Sequence, residues 1–188
     1  MNEAETAEAI RDLSASEEPT RTRAAAVLYD AGRATALAAT AAWREDAELA
    51  TLFTGHPTVG VAVEPETFAR IHSANGSPAL ADVPPDQDAR EFELEFRCDV
   101  SLDIITTREP HGSGAIARFL DRRGQGIQQV ELPVRDVDRA TAILRTRFSL
   151  EPVYLETRLG ANATRVNFFL VAAPTSGKVL IELVGDHS

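Results

Sequence analysis

The sequence predicts an α+β fold in which an N-terminal helical extension precedes two modules of the order β-α-β-β-β. The first observation is compositional: residues 1–55 are rich in Ala, Glu and Arg and poor in β-branched residues, which favours helix. The second is that strand-like patterns begin at Pro57. The third is that the order β-α-β-β-β can be followed twice, which places the modules at residues 56–107 and 108–188.

The extension is expected to contain two helical regions. The first covers residues 3–13, and the Ser- and Pro-containing stretch 14–19 ends it. The second covers residues 20–53, with Gly32 as a point of interruption and Gly55 as a stop. The simplest role for this segment is an accessory helical layer or a dimer contact.

The first module begins with a β run at residues 58–63, followed by a short helix at residues 65–74. Apolar side chains then alternate with charged ones over residues 91–97, as in a half-buried strand. Another strand is predicted at residues 100–106.

The second module shows clearer signals. Ser113 is predicted to cap a short helix, and Asp136 is predicted to cap a longer one. The predicted strands cover residues 127–134, 152–158, 165–171 and 178–184. Thr175, Ser176 and Gly177 are expected to form the hairpin turn between the last two strands.

Composition excludes several classes of function. The formal net charge is −10, and an acidic chain repels the phosphates of nucleic acids and the surfaces of anionic membranes. No apolar run approaches the roughly 20 residues that a membrane helix needs. The acidic N-terminus lacks the basic start of a signal peptide. Cys98 is the only cysteine, so no internal disulfide can form, and a cytoplasmic location is expected.

One stretch of the second module resembles a known family. Residues 126–137 resemble the Gly-Ile-His-His stretch of the methylmalonyl-CoA epimerases, and residues 115–120 look like their Pro-Ile-Ala-Lys-Phe-Leu. Further short similarities follow in the family's order at residues 151–152, 158–161, 165–168 and 177–183. The C-terminal half therefore resembles the second module of a vicinal-oxygen-chelate protein. The resemblance implies a cup-shaped mixed sheet built from paired βαβββ modules, and a homodimer.

The resemblance also implies a divalent metal in the cup. Of the family's ligand positions, the fourth falls on Glu182, the second on Asp103 and the third on Gln129. The first falls on Thr58, so two of the family's histidines are replaced. The four histidines of this chain lie at other positions: His56, His72, His111 and His187. The first three are expected at the surface.

Strand alternation adds one residue to this set. If Gln129 faces the cup, Glu131 faces it too, because residues two apart share a face of a strand. Ile127 and Pro133 are expected on the same face, and Gln128 on the opposite, apolar one. The predicted cup therefore holds Asp103, Gln129, Glu131 and Glu182.

This oxygen-rich set admits two kinds of chemistry. In the first, Asp103, Gln129 and Glu182 bind Mg²⁺, Mn²⁺ or Co²⁺, and the metal polarises a substrate carbonyl while Glu182 and Glu131 move a proton. In the second, no metal is bound, and crowded carboxylates in a pocket hold a raised pKa.

The leading functional hypothesis is an epimerase-like isomerase or lyase that transfers a proton next to a carbonyl of a small acid or an acyl-CoA. The alternative is a metal-free protein of the same fold that binds a small molecule or serves a natural-product pathway without epimerase activity. A third is a scaffold that has kept the fold and lost the site.

Overall fold

One seven-stranded mixed sheet organises the chain, and a computed structural model describes residues 1–96, 99–173 and 177–186 of it. The strand order is β2-β3-β1-β4-β7-β6-β5, with β1 parallel to β3 and β4 parallel to β7. The sheet curls into a half-barrel. The strands are β1 (Thr58–Ala62), β2 (Ala89–Phe96), β3 (Val100–Thr107), β4 (Gly126–Pro133), β5 (Arg158–Leu159), β6 (Arg165–Ala173) and β7 (Gly177–Gly185).

Six α-helices accompany the sheet in the described residues. They are α1 (Glu3–Asp12), α2 (Glu18–Ala39), α3 (Ala47–Ala50), α4 (Pro65–Ala74), α5 (Ala115–Arg123) and α6 (Val137–Phe148). The main core joins α1, α2, α4 and α6 to one face of the sheet. Helix α5 packs in a smaller core with Ala62 and Ile105. The predicted α+β class and the N-terminal helical part are confirmed. Within the described residues, no helix has the length and hydropathy that membrane crossing requires.

The N-terminal extension is a packed helical layer. Asn2 caps α1 and forms a capping box with Glu5. Helix α2 runs unbroken through Gly32, so the predicted interruption there is wrong. A Cβ at that position would lie 2.6 Å from Val59 Cγ1, so the missing side chain lets α2 approach β1 closely.

The predicted long helix over residues 20–53 is wrong beyond Ala39. A 3-10 helix (Ala41–Arg44) and the short α3 replace its last part. The new start at α3 is stabilised because Asp46 accepts hydrogen bonds from the backbone N–H groups of Glu48 and Leu49. Trp43 of the 3-10 helix is buried and packs edge-to-face on Phe169, so tertiary packing overrides helix propensity here.

The first module contains three strands rather than the expected four. All of residues 75–88 are described, and they form turns and a 3-10 helix (Pro85–Gln87) but no strand. Three prolines, at positions 78, 84 and 85, lack the N–H that a sheet ladder needs. The module therefore has the order β-α-β-β.

The second module differs from the prediction in two places. Helix α5 is capped by Gly114 without a side-chain hydrogen bond, so the Ser113 cap is wrong, whereas the Asp136 cap of α6 is confirmed. The strand predicted over residues 152–158 shrinks to β5 and a single bridge between Pro152 and Phe169. Its ladder is replaced in part by the Asn167 amide, which donates to the Tyr154 carbonyl.

Three predictions fall outside the described residues. Cys98 and His187 lie there, and so do Thr175 and Ser176 of the predicted hairpin turn. The strands that flank that turn, β6 and β7, pair in the antiparallel direction from Arg165 opposite Gly185 to Ala173 opposite Gly177.

Candidate active site

The concave side of the sheet forms a cup with a cavity of about 770 Å³. Residues of β1 to β4, β6, β7 and α5 line it, so both modules contribute to one space. Cavities of this size are typical of sites that enclose a small organic molecule.

All four residues predicted for the cup line this cavity, in two rows across the sheet. In the first row, Gly60 of β1 stands between Asp103 of β3 and Gln129 of β4. In the second row, Glu131 of β4 stands opposite Glu182 of β7. Thr58, the position of the family's first ligand, pairs with Glu131 and lines the cavity as well.

Gly60 creates the space that the Gln129 side chain occupies. A Cβ on Gly60 would lie 2.6 Å from Gln129 Cγ and 3.2 Å from Ile105 Cδ1. Real Cβ atoms do not approach other atoms so closely. The absence of a side chain at position 60 therefore lets the amide lie over the middle of the sheet.

The Gln129 amide connects the two carboxylates of the second row. Its Nε2 donates to Glu182 Oε2 at 2.5 Å and makes a longer contact of 3.4 Å with Glu131 Oε1. Gln129 and Glu182 are each only 8% exposed. A hydrogen bond between two polar groups at this depth restrains both side chains, because breaking it leaves each group without a partner.

Burial gives the carboxyl groups of the cup unusual pKa values. Burial first, and the charge of Glu91 second, raise the pKa of Glu131 to about 8. Burial and the neighbouring Glu131 raise the pKa of Glu182 well above its ordinary value. Burial and Glu91 do the same for the pKa of Asp103. In the described part of the chain, no Lys, Arg or His forms a salt bridge with these three groups.

A β-bulge corrects one prediction about the faces of β4. The register between β1 and β4 shifts between Gly60 and Val61, which pair with Gln129 and Ile127. Ile127 therefore packs against the main core, and Gln128 lines the cavity beside Gln129. The prediction had these two side chains the other way round, because simple alternation does not anticipate an extra residue in a strand.

Several residues of the cup were not predicted from the sequence. Glu91 and Glu93 on β2 line the cavity, and Glu93 stands opposite Asp103. Burial and the charge of Glu93 raise the pKa of Glu91 to about 7. The alternation of charged and apolar residues on β2 identified the strand. That its charged face lies toward the cup follows from pairing with β3, which local pattern does not reveal.

Aromatic and basic residues from the second module complete the lining. Tyr154 and Phe168 line the cavity with their ring centroids 5.9 Å apart. Arg118 and Arg158 also reach it. Sequence spacing gave no signal for these contributions, which come from separate parts of the module.

The histidines of the described chain take no part in this site. His56 is exposed and lies 3.6 Å from the Asp99 carboxylate, and His111 is exposed and pairs with Asp121. His72 is half-buried against aromatic rings rather than at the surface, and its Nε2 donates to the Pro78 carbonyl. None of the three lines the cup.

The chemistry of the cup suits a hard cation, but its arrangement does not fit one. Carboxylate and amide oxygens are the donors that Mg²⁺ and Mn²⁺ prefer. Within the described residues, however, no group of three or more His, Cys, Asp or Glu side chains is placed to hold a metal ion. Gln129 also directs an N–H, which cannot ligate a metal, toward Glu182. The metal ligation by Asp103, Gln129 and Glu182 stays a prediction.

Comparison with known proteins gives no match to a protein-family model and none to a curated protein. Among solved structures, the methylmalonyl-CoA epimerase of Mycobacterium tuberculosis has 33% sequence identity and a TM-score of 0.59. The match covers 73% of this chain and 91% of that chain.

Two further epimerase structures share the fold. An epimerase variant of Streptomyces coelicolor in complex with 2-nitronate-propionyl-CoA has 21% identity and a TM-score of 0.56, and covers 72% of this chain and 99% of its own. A selenomethionine methylmalonyl-CoA epimerase has 22% identity and a TM-score of 0.56, with coverage of 73% and 98%. From the identity and coverage of the mycobacterial match, the chain belongs to the methylmalonyl-CoA epimerase family of the vicinal-oxygen-chelate superfamily.

Proposed function

We propose that this protein transfers a proton to and from a carbon next to a carbonyl group, with Glu131 and Glu182 as the acid–base pair. The observation that carries the proposal is their arrangement. The two residues are direct partners on parallel strands, face one cavity and share the Gln129 amide.

The pair can hold and exchange the single proton that acid–base catalysis requires. A carbon epimerises when one group removes its proton and another returns a proton to the opposite face. Two neighbouring carboxyl groups in a poorly solvated site resist carrying two negative charges, so the pair retains a proton at neutral pH. The raised pKa values of Glu131 and Glu182 agree with this behaviour. One carboxyl group can then act as the base while the other acts as the acid.

Two side chains are available to stabilise the negative charge that develops on the carbonyl oxygen. Asp103, with its pKa raised well above the ordinary value, presents an O–H donor in its acid form. The Gln128 amide lines the cavity, and within the described residues its Oε1 atom has no hydrogen-bond partner. Its N–H groups supply the second donor. Donors fixed in place before the reaction cost no rearrangement as charge develops.

Acyl-CoA thioesters are the first substrates to test. The related solved structures are named as methylmalonyl-CoA epimerases, and one holds 2-nitronate-propionyl-CoA. Binding without turnover is the second candidate function. It is favoured by the aromatic pair of Tyr154 and Phe168, which offers contact area for a ligand but no chemistry. A homodimer is proposed from the resemblance, and light scattering of the purified chain tests it.

The proposal is tested by deuterium exchange. The protein is incubated with propionyl-CoA or methylmalonyl-CoA in D₂O, and deuterium at the carbon next to the thioester is measured by mass spectrometry. We expect Glu131→Gln and Glu182→Gln to slow exchange by about 100-fold or more. Glu151→Gln changes an exposed carboxylate outside the cup and serves as the matched control. Exchange at the wild-type rate in both cup variants contradicts the proposal, and thioester binding without exchange supports the second function.

A further inference from the structure

One group of apolar side chains lines the cavity beside the proposed acid–base pair. On the other side of that pair in the strand order, β3 and β2 contribute the carboxyl groups of Asp103, Glu91 and Glu93. The apolar group comes from β6, β7 and the segment before β5, and each member keeps some exposed surface. We call it the apolar wall, and it consists of Val153, Tyr154, Phe168, Leu180 and Val184. A ligand that covers this surface removes it from water, which favours binding.

The apolar wall begins directly at Glu182. Phe168 of β6 is the antiparallel strand partner of Glu182, and both side chains line the cavity. Directly opposed residues on antiparallel strands have Cβ atoms about 4.5–5.5 Å apart. Leu180 precedes Glu182 by two residues on β7 and therefore shares its face. A group attached to the carbon that Glu182 reaches therefore lies against Phe168 and Leu180.

Hydrogen bonds and ring contacts fix the wall in place. The Val153 N–H donates to the Phe168 carbonyl at 2.7 Å, and the Asn167 amide donates to the Tyr154 carbonyl at 3.1 Å. Tyr154 packs edge-to-face on Phe168, and the Arg158 guanidinium lies 4.4 Å from the centroid of the Tyr154 ring. A surface that is already ordered loses little freedom when a ligand binds, so more of the apolar contact contributes to affinity.

We infer that the reacting carbon of the substrate carries an apolar group larger than methyl, an alkyl chain or an aryl ring, which lies on the apolar wall. The inference rests on the proposed function, and it adds the class of acyl group. A methyl group is too small to cover five side chains, whereas a four-carbon chain or a phenyl ring spans several of them. Arg118 lines the same cavity and forms no salt bridge within the described residues, so it stays available to an anionic group elsewhere on an acyl-CoA.

The test compares deuterium exchange on hexanoyl-CoA and on propionyl-CoA by the full chain. Their reacting carbons carry a butyl and a methyl group, and both groups are alkyl, so the acidity of the C–H bonds is alike. Each CH₂ group that the wall covers contributes about fourfold. We expect kcat/KM for exchange to be at least about tenfold higher for hexanoyl-CoA.

Variants test whether the wall causes this preference. Phe168→Ala and Leu180→Ala should each lower the ratio of the two kcat/KM values by at least about threefold. Leu155→Ala is the matched control, because Leu155 is 77% exposed and does not line the cavity, so its loss should leave the ratio unchanged. Circular dichroism checks folding, and Leu180→Ala serves if Phe168→Ala does not fold.

Two results overturn the inference at this stage. The first is a wild-type ratio near one, and the second is a ratio that neither wall variant changes. If a second copy of the chain covers the wall instead, the wall variants alter the oligomeric state in light scattering and leave the ratio as it was, which is the second result.

Binding of the two thioesters, measured by calorimetry, separates this inference from the proposed reaction. Exchange on both thioesters without a preference contradicts only the inference. If neither thioester exchanges, but hexanoyl-CoA binds at least about tenfold more tightly and Phe168→Ala reduces that preference, the apolar wall stands and the reaction is contradicted. Without exchange, equal binding or no binding of the two thioesters overturns both.

Discussion

Glu131 and Glu182 stand directly opposite each other on the parallel strands β4 and β7, and one amide hydrogen-bonds toward both. These strands lie near the middle of the seven-stranded sheet, so backbone hydrogen bonds on both sides fix the two side chains. Because neither carboxyl group forms a salt bridge among the described residues, protonation is the simplest way to limit the negative charge of the pair. The stability of the fold and its chemistry are therefore linked through the same groups.

The first prediction is that the protein loses stability as the pH rises from about 4.5 to about 8. The pKa of Glu131 rises from its ordinary 4.5 to about 8 on folding, and that of Glu91 rises to about 7. In this range the folded state holds protons that the unfolded state has released, so raising the pH favours unfolding. We expect the free energy of unfolding to fall steadily across the range, as measured by urea denaturation.

Substitution identifies the groups responsible. Glu131→Gln removes one ionisable group and should flatten the pH dependence, so that the variant is more stable than the wild type at pH 8. Glu151→Gln should leave the slope unchanged. Carboxylates with lowered pKa values, such as Asp46 and Glu48 beside Arg147, act in the opposite direction and lose their contribution at acid pH. Stability that increases between pH 5 and pH 8 is the result that contradicts this account.

The second prediction concerns Gly60, whose missing side chain leaves space for Gln129. In Gly60→Ala, the new Cβ meets Gln129 Cγ at 2.6 Å and Ile105 Cδ1 at 3.2 Å, so the amide has to move. We expect a loss of about 1–3 kcal/mol in stability from this crowding, together with slower proton exchange. Gly126→Ala is the matched control on the neighbouring strand, since the nearest atom to its Cβ is Thr6 Cγ2 at 4.0 Å. If both variants behave alike, Gly60 does not position Gln129.

The third prediction concerns the contact between the N-terminal extension and the sheet. Gly32→Ala should improve the helix propensity of α2 by about 1 kcal/mol, yet its Cβ would lie 2.6 Å and 2.8 Å from the two methyl carbons of Val59. We expect the clash to win and the variant to be destabilised by about 1–3 kcal/mol.

A double-mutant cycle tests the cause. Val59→Ala removes both methyl groups, so Gly32→Ala should cost less in that background, with a coupling of at least about 1 kcal/mol measured by thermal or urea unfolding. Additive effects of the two changes show that α2 does not meet β1 at this point.

The positions of Asp103, Gln129, Glu131 and Glu182 in one cavity could be anticipated from sequence. The alternation of side chains along a strand is a local property, and it sufficed to group Gln129 with Glu131. The family resemblance related those residues to Asp103 and Glu182 on other strands. Their chemical roles stay predictions, because geometry alone does not identify a reaction.

The other features of the cup depend on the register between neighbouring strands. A local sequence pattern does not contain this register. The bulge directs the Gln128 side chain toward the cup, and it arises from the shift in register between β1 and β4. Glu91 and Glu93 have the pattern of an ordinary half-exposed strand, and pairing with β3 turns them toward the cup. The end of α2 at Ala39 likewise reflects the burial of Trp43 and the Asp46 cap, not the propensity of residues 40–53.

The last prediction addresses the metal expected from the resemblance. Asp103, Gln129 and Glu182 offer oxygen donors. However, the Gln129 amide directs an N–H at Glu182, and the carboxyl groups of the described residues are not grouped to hold a metal ion. This arrangement is more typical of a site whose carboxyl groups bind protons. We expect no stoichiometric binding of Mg²⁺, Mn²⁺ or Co²⁺ below about 1 mM by calorimetry, and unchanged deuterium exchange after treatment with a chelator.

Two variants make this prediction decisive. If one equivalent of metal binds to the wild type and is lost in both Asp103→Ala and Glu182→Ala, the metal site is real and the amide turns its carbonyl oxygen toward the ion. Metal binding that survives both substitutions lies elsewhere and says nothing about the cup. The carboxyl groups can serve protons or a metal ion but not both at once, because a bound divalent cation favours their charged forms and would abolish the raised pKa values. A metal-bound protein should therefore lose the stability decline between pH 4.5 and pH 8, and unfolding with and without the metal at both ends of that range measures this.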